Sequence, residues 1–318
     1  MKAAVFRQYG NWDVLRIADV PRPTPGKGEV LVRVKAASIN DWDWQVLQGI
    51  PFANRVSFGL FKPGNKILGC DIAGTVEALG KGVKMFKIGD AVFGDLSGGS
   101  WGGFGEYTTA DERVLALKPD HITFEEAAAI PQAGNLALQA LRFKRDVRRG
   151  DKILINGAGG GAGSFGIQMA KDLGADVTGV DRDIKLEHML SLGADHVIDH
   201  EREDFTKSGI LYDRIIDNVV RHPLSHYRRV LKPDGVCGFV GGDTFPIMKA
   251  FIFGGKRIGV VLLRYDPKDL IHITDLIKKG KVKVSIDKVY ELKDITKAFA
   301  HFGRGLHKGK IVIKVVSD

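Results

Sequence analysis

The chain is poor in cysteine. Only Cys70 and Cys237 occur among 318 residues. Two thiols so far apart build neither a disulfide framework nor a four-cysteine zinc site. They read as core residues of a protein kept in a reducing compartment, hence a cytoplasmic one. Histidine is missing from the first 120 residues, the first being His121. Long apolar runs are missing as well, and no stretch approaches the ~18 uninterrupted residues of a membrane helix. The opening MKAAVFRQYG carries no apolar signal core and no Arg/Ser-rich presequence, so neither secretion nor membrane spanning is expected.

What is present is ordinary apolar content (44%), abundant glycine (40 residues) and a formal charge of +9. At ~150 residues per domain the length suggests about two domains. The charge is uneven: Lys278–Asp318 holds eleven basic and four acidic residues. Lysines alternate with apolar residues in KKGKVKVSIDKVYEL, as on strand faces rather than in a disordered basic arm. Such a surface is either merely solvated or attracts an anion, whether RNA, lipid or a phosphorylated cofactor. No aromatic recognition signature accompanies it, so a nucleic-acid partner is not expected.

The first ~115 residues read as strand and loop. Glu29–Ala36 alternates apolar and polar, Gly69–Leu79 and Ala91–Phe93 continue the pattern, and turns fall at Pro23–Gly26, Gly80–Gly82 and Ile88–Asp90. This predicts a small irregular β-barrel. Near residue 122 the grammar changes. Thr123 followed by Glu126 is a capping-box pattern. Strand-like runs at 152–156, 176–180, 196–199, 214–217, 236–240 and 257–263 then alternate with helical ones, clearest at 164–173 and 184–192. Such repetition predicts a doubly wound parallel sheet. After residue 264 come a helix (270–279), an extended stretch (282–292), a helix (294–302) and a strand (310–316). This tail is too poor in apolar residues for a third core and is expected to return to the barrel. The predicted α/β chain therefore has one domain from 1–121 and 264–318 and another from 122–263.

The strongest motif is KILINGAGGGAGSFGIQ, Lys152–Gln168. A buried strand runs into glycines that let the backbone turn tightly, and the helix that follows presents unpaired N–H groups to an anion. Ala158, Gly159, Gly160, Gly161, Ala162 and Gly163 are the expected diphosphate cradle of a dinucleotide. Asp181, at the end of the second strand, suits ribose hydroxyls and NAD. Arg182 and Lys185 suit a 2′-phosphate and NADP. Charge alone leaves the choice open. Zinc needs three protein ligands, and the barrel segment supplies Cys70 but no histidine, so no metal is expected. His222 and His226 have ligand-like spacing beside Pro223 but read as solvent or packing residues.

Several further motifs make the chain resemble the zinc-free medium-chain dehydrogenase/reductases of the quinone oxidoreductase (zeta-crystallin-like) group over nearly its whole length. They are Ala37-Ser-Ile-Asn40-Asp-Trp-Asp43, Gly69-Cys-Asp71-Ile-Ala-Gly74-Thr-Val76, Gly89-Asp90-Ala-Val92, Gly103-Phe-Gly-Glu106-Tyr107, Ala129-Ile-Pro131, Leu192-Gly-Ala-Asp195 and Gly309-Lys310-Ile-Val312. Gly69-Cys70-Asp71 stands where zinc-dependent relatives carry Gly-His-Glu. The resemblance implies a GroES-like β-barrel catalytic domain and a Rossmann domain. It implies hydride transfer from NADPH or NADH to a quinone or conjugated carbonyl without metal. Asn40 would donate a hydrogen bond to the acceptor oxygen, with Asp43 anchoring its loop and Gln132 near the pocket. Lys185 would lie near the adenosine phosphate and His200 near the adenine, where relatives carry tyrosine. Asn218, Gly241 and Gly242 would line the carboxyl edge of the sheet, and Lys310 would reach the cofactor from the tail. This chain departs from the pattern at Asp41, which replaces a proline, and at Ala137, which replaces a threonine. The stretch Gly49–Gly64, with Phe52, Phe58 and Phe61, is either the roof of an apolar acceptor pocket or core packing. The apolar run Arg257–Leu263 is expected to pair with its copy in a homodimer. Two alternatives stand beside this reading. One is a zinc-independent alcohol dehydrogenase. The other is a nucleotide-responsive protein that binds RNA or lipid with little catalysis.

Overall fold

The computed structural model describes residues 1–64 and 67–316. The chain divides into two compact units. One comprises Met1–Gln132, Tyr265–Asp275 and Ile286–Asp318; the other comprises Ala133–Arg264 and Leu276–Ser285.

The first unit is organised by a seven-stranded sheet. Its path runs Ile286–Glu291, Lys310–Lys314, Glu29–Ser38, Asp71–Leu79, Ala91–Asp95 and Leu115–Leu117, and Tyr107–Asp111 also pairs with Glu29–Ser38. Glu29–Ser38 is the hub, antiparallel to three neighbours. Val30, Leu31 and Val32 are all buried although they alternate in direction, and the Phe124–Ala128 helix packs against this strand. Val30, Val32, Val34, Ile72, Phe104 and Phe299 belong to one core; each such side chain stabilises by roughly 1.5–3 kcal/mol. The Phe124–Ala128 helix starts as its sequence predicts: Thr123 Oγ1 accepts from Glu126 N (3.1 Å) and Glu126 Oε2 accepts from Thr123 N (2.8 Å).

The second unit is a six-stranded, wholly parallel sheet. Its order is His196–Asp199, Asp176–Asp181, Lys152–Asn156, Tyr212–Asp217, Leu231–Phe239 and Ile258–Val260. The order reverses direction between Lys152–Asn156 and Tyr212–Asp217, the switch point outside which ligands sit in such sheets. The Gly161–Asp172 helix follows the first strand of the series.

Several sequence expectations need correction. The division falls at Gln132 rather than residue 121, because the Phe124–Ala128 helix packs on the strands of the first sheet. Leu276–Ser285 joins the second unit, where Gln168 exchanges two hydrogen bonds with the Lys283 backbone (2.9 and 2.8 Å). The region read as strand and loop contains the helices Asp41–Gln48 and Phe52–Phe58. The first is started by Asp43, which accepts from Asn40 N (2.9 Å), and is ended by Gly49 at φ 65°. The run read as a strand over Arg257–Leu263 is a strand only at Ile258–Val260. In the loop Gly49–Gly64, Phe58 packs edge-on against Trp101 (5.3 Å), whereas Phe61 is 90% exposed. No described helix is long and apolar enough to cross a membrane.

Candidate active site

The glycine loop leaves the Lys152–Asn156 strand at the switch point. Gly160 caps the following helix, and a side-chain carbon there would stand 3.5 Å from Gly157 O, in ordinary contact. At Gly163 the backbone approach is close: an added Cβ would lie 2.4 Å from Ala158 Cα, so only glycine lets the helix pack on the strand end. Among the described residues, the N–H groups of Gly161, Ala162 and Gly163 meet no acceptor. Three donors and the positive end of a 12-residue helix therefore face one place. That arrangement suits a diphosphate.

Around the loop the expected residues are placed as follows. Asp181 Oδ2 accepts from Gly159 N (3.0 Å), its Oδ1 accepts from Arg182 N (2.9 Å), and Lys185 Nζ stands 3.3 Å away. The carboxylate expected to bind ribose is thus engaged by the loop itself. Arg182 pairs with Glu201 at 3.3 Å. His200 is joined to the second strand by its N–H, which donates to Asp181 O (3.1 Å). Asn218 donates twice to Asn156 O, from N (3.1 Å) and Nδ2 (2.8 Å), while its buried Oδ1 has no partner. Asn156 Nδ2 and Tyr227 OH donate to the buried Asp217 carboxyl (3.0 and 2.9 Å), whose pKa is raised by burial. Gly241 and Gly242 follow the fifth strand, and Gly242 has φ 120°.

The first unit holds a second constellation, buried and polar. Asn40 Nδ2 donates to Asp71 Oδ2 (2.9 Å) and to Cys70 Sγ (3.3 Å). Lys310 donates to Asn40 Oδ1, to Ile39 O (3.1 Å) and to Asp71 Oδ2 (3.4 Å). Asp43 Oδ1 accepts from Gly69 N (2.9 Å). Gln132 joins the group by donating its N–H to Asp71 Oδ1 (3.0 Å) and its amide to Cys70 Sγ (3.5 Å) and Asp95 Oδ2 (3.4 Å). Asp95 Oδ1 accepts from Ser97 N (2.7 Å), the Ser97 hydroxyl bonds the same carboxyl, and Ser97 Oγ meets Tyr265 OH at 3.1 Å.

Three buried carboxyls lie in this cluster, and the one ammonium, Lys310, meets Asp71. Burial pushes Asp43 up to about 7, and burial with the charge of Asp71 pushes Asp95 up to about 7. Asp71 is raised by burial, against the pull of Lys310 and Asn40, and burial drives the Cys70 thiol far up. Asn40, Asp43, Gln132 and Lys310 thus meet in one cluster, a grouping the sequence did not foresee, and two of the roles expected for them do not fit. Lys310 is not free for a cofactor, since all three of its donors are used inside the cluster. Both N–H groups of Asn40 are likewise engaged, so in this geometry it braces the cluster rather than offering a donor outward. Asp95, Ser97 and Tyr265 were not foreseen. Their partners lie 37 and 168 residues apart in sequence, and no local motif marks such contacts.

Comparison with known proteins places the chain in a family. Residues 26–120 match the alcohol dehydrogenase GroES-like domain, and residues 192–313 match the zinc-binding dehydrogenase model. A chloroplast envelope quinone oxidoreductase homolog of Arabidopsis thaliana is 33% identical, covering 99% of this chain and 98% of that protein. The chain belongs to the quinone oxidoreductase group of the medium-chain dehydrogenase/reductases. The structure of the quinone oxidoreductase from Coxiella burnetii is 30% identical, with a TM-score of 0.91 and 99% coverage of both chains. An NADPH-dependent alkenal/one oxidoreductase of Arabidopsis thaliana is 31% identical, covering 98% of this chain and 79% of that protein. One of the matched models is described as a zinc-binding dehydrogenase. In this chain Cys70, Asp71 and Asp95 offer atoms within 4.8 Å of one another. No histidine is among them, and the positive charge at Asp71 is that of Lys310.

Proposed function

We propose that this chain transfers hydride from a reduced nicotinamide coenzyme to a quinone or an α,β-unsaturated carbonyl. It is an NAD(P)H-dependent oxidoreductase, and the observation that carries the reading is the trio of unpaired N–H groups at Gly161, Ala162 and Gly163. The loop, the orphaned Asn218 Oδ1 and the glycines after the fifth strand fit a dinucleotide. When bound, the coenzyme supplies the hydride and the protein supplies alignment. The acceptor class is supported by relatives named quinone oxidoreductase and alkenal/one oxidoreductase.

The reaction is proposed to proceed without zinc. Catalytic zinc is held by three ligands drawn from His, Cys thiolate and carboxylate, with one open position. Here the thiol is held protonated by burial, Asp71 is neutralised by Lys310, and Asn40 donates into the same space. That donor set does not fit the ion. An acceptor activated by its own conjugation needs no strong Lewis acid, which favours quinones and enones over simple alcohols. Reduction also calls for a proton. Asp95 holds one near neutral pH and is linked through Ser97 to the Tyr265 hydroxyl. The phenol is kept protonated by burial. This line is suited to returning a proton to the reduced acceptor's oxygen.

A homodimer is proposed through the Ile258–Val260 edge. The supporting observation is the neighbouring apolar surface: Phe245, Met248, Phe251, Ile252, Phe253 and Leu262 are each more than half exposed. Cytoplasmic location is proposed on the two free, buried thiols. The test of function is NADPH and NADH oxidation with a quinone, an enone and a simple alcohol pair, before and after chelation. Turnover of quinone or enone that survives chelation is expected. Activity confined to alcohols, or abolished by chelation, would refute the proposal.

A further inference from the structure

Of the eleven basic residues over Lys278–Asp318, only Lys310 belongs to the candidate active site. The fold gathers several of the others. Within the first unit, the Ile286–Glu291 strand stands at one end of the seven-stranded sheet. Its alternation puts Lys288 and Tyr290 on one face. The Ile295–Gly303 helix, capped by Arg304, carries Lys297, Ala300, His301 and Arg304 at intervals of three and four, hence on one stripe. Between the two faces lies a cavity of about 450 Å³ lined by these six residues. That size falls within the ~300–1,000 Å³ of small-molecule sites.

The less exposed part of the lining is fixed in place. Tyr290 OH meets His301 Nδ1 at 3.1 Å, and His301 Nε2 meets Asp287 Oδ2 at 3.3 Å. Asp287 Oδ1 in turn accepts from Lys308 N (3.2 Å). The rest of the lining is cationic. The Lys288 ammonium stands over the Tyr290 ring, 5.0 Å from its centroid, and has no carboxylate partner among the described residues. Lys297 pairs with Asp294 at 2.7 Å, but that lysine is 76% exposed, and a pair so open to water is worth little. Arg304 adds a planar fork of donors. Of the two carboxylates nearby, Asp287 is occupied by His301 and Asp294 stands at the start of the helix.

Ammonium and guanidinium groups donate hydrogen bonds and accept none, so the ligand they suit is an anion rich in acceptors. A phosphate monoester brings three such oxygens and close to two negative charges, and so suits three converging cations better than a single carboxylate does. Tyr290 and Ala300 leave apolar surface for the organic part. We propose that this cavity binds a small phosphate monoester, its oxygens held by Lys288, Lys297 and Arg304 and its organic part lying on Tyr290 and Ala300. The glycine loop belongs to the other unit, so the proposal does not rest on the coenzyme reading.

The test is isothermal titration of the purified full chain with phenyl phosphate and with inorganic phosphate at fixed ionic strength. The variants are Lys288→Ala, Arg304→Ala, the exposed control Lys87→Ala, and Gly161→Asp, which places a carboxylate at the glycine loop. Saturable binding of phenyl phosphate by wild type is expected, with inorganic phosphate weaker. Lys288→Ala and Arg304→Ala are each expected to weaken phenyl phosphate at least ~10-fold, with Tm unchanged because both residues are exposed. Lys87→Ala and Gly161→Asp are expected to bind as wild type does. Binding lost in Gly161→Asp and kept in Lys288→Ala would put the phosphate at the glycine loop and overturn the proposal. An equal loss in Lys87→Ala would show diffuse charge and overturn it as well. Equal affinity for the two phosphates would overturn the role of Tyr290 and Ala300. No binding of either phosphate would overturn the site, also where RNA or phosphatidylglycerol vesicles bind wild type and not Lys288→Ala.

Discussion

Lys310 donates a hydrogen bond to the side-chain oxygen of Asn40, across 270 residues of sequence. The same ammonium reaches Asp71, and all three residues are buried. The contact fixes which way the Asn40 amide points, because its oxygen meets the cation and its nitrogen meets Asp71 and Cys70. Removing the cation strands a buried carboxylate. Lys310→Met is expected to cost about 3–5 kcal/mol at pH 7, measured by chemical denaturation. Adding Asp71→Asn is expected to recover part of that loss, since the charge left unpaired is then gone. Simple additivity of the two losses would contradict the coupling.

Stability should fall as pH rises toward neutrality. Asp43 and Asp95 are raised from an ordinary value of 3.8 to about 7. A raised carboxyl binds its proton more tightly in the folded state, so its contribution is fully present below pH 4 and lost as pH climbs through 7. The slope between is about 1.4 kcal/mol per pH unit for each group. Asp204 acts in the opposite sense and lower down: lowered to about 2, it loses its contribution as pH falls through that range. Asp95→Asn is expected to flatten the fall between pH 5 and 7, seen as a smaller drop in Tm over that interval. An unchanged slope would contradict the protonated state assigned to Asp95.

Tyr265→Phe removes the hydroxyl at the end of the Asp95–Ser97 line. If that line returns the proton, kcat for the quinone or enone should fall at least ~10-fold. The KM for the coenzyme should stay within about twofold, because uniform binding is untouched. Equal kcat for the variant and wild type across pH 6–8 would dismiss the proton line.

Gly163→Ala tests the close approach of helix and strand. The added carbon would stand 2.4 Å from the Ala158 Cα, which is backbone and cannot turn aside. We expect a stability loss of ~1–3 kcal/mol from overpacking, together with weakened coenzyme binding. Gly160→Ala, where the added carbon has room, should melt like wild type. If both variants melt alike, the helix is not seated as described.

The parallel sheet was legible because most of its strands announce themselves locally, the bounds of the last two excepted. Lys152–Asn156 was read at its observed bounds, since a buried parallel strand is a short apolar run between turn residues; the edge strand His196–Asp199, buried only at Ile198, was read at its bounds as well. The Thr123–Glu126 capping box was legible for the same reason. The Asp41–Gln48 helix was missed because its eight residues, DWDWQVLQ, are stiffened by a cap and by packing, not by strong periodicity. Resemblance pointed to Asn40, Asp43, Gln132 and Lys310 but could not say how they bond. Asp95 and Tyr265 stayed invisible because their contacts are long-range and follow no spacing rule. Asp181 shows the limit most clearly. Its position suggested a ribose ligand, and only the fold reveals that Gly159 N and Lys185 already hold it.

The most direct test of the account is coenzyme titration of Gly161→Asp against wild type. Gly161 is the first residue of the Gly161–Asp172 helix, where an acid suits the helix dipole. The variant is therefore expected to melt at or above the wild-type Tm, yet its carboxylate would occupy the place of the diphosphate and repel it. The account predicts saturable NADPH or NADH binding by wild type and at least ~100-fold weaker binding by the variant. Unaltered affinity in a folded Gly161→Asp protein would show that the diphosphate binds elsewhere, and would contradict the account.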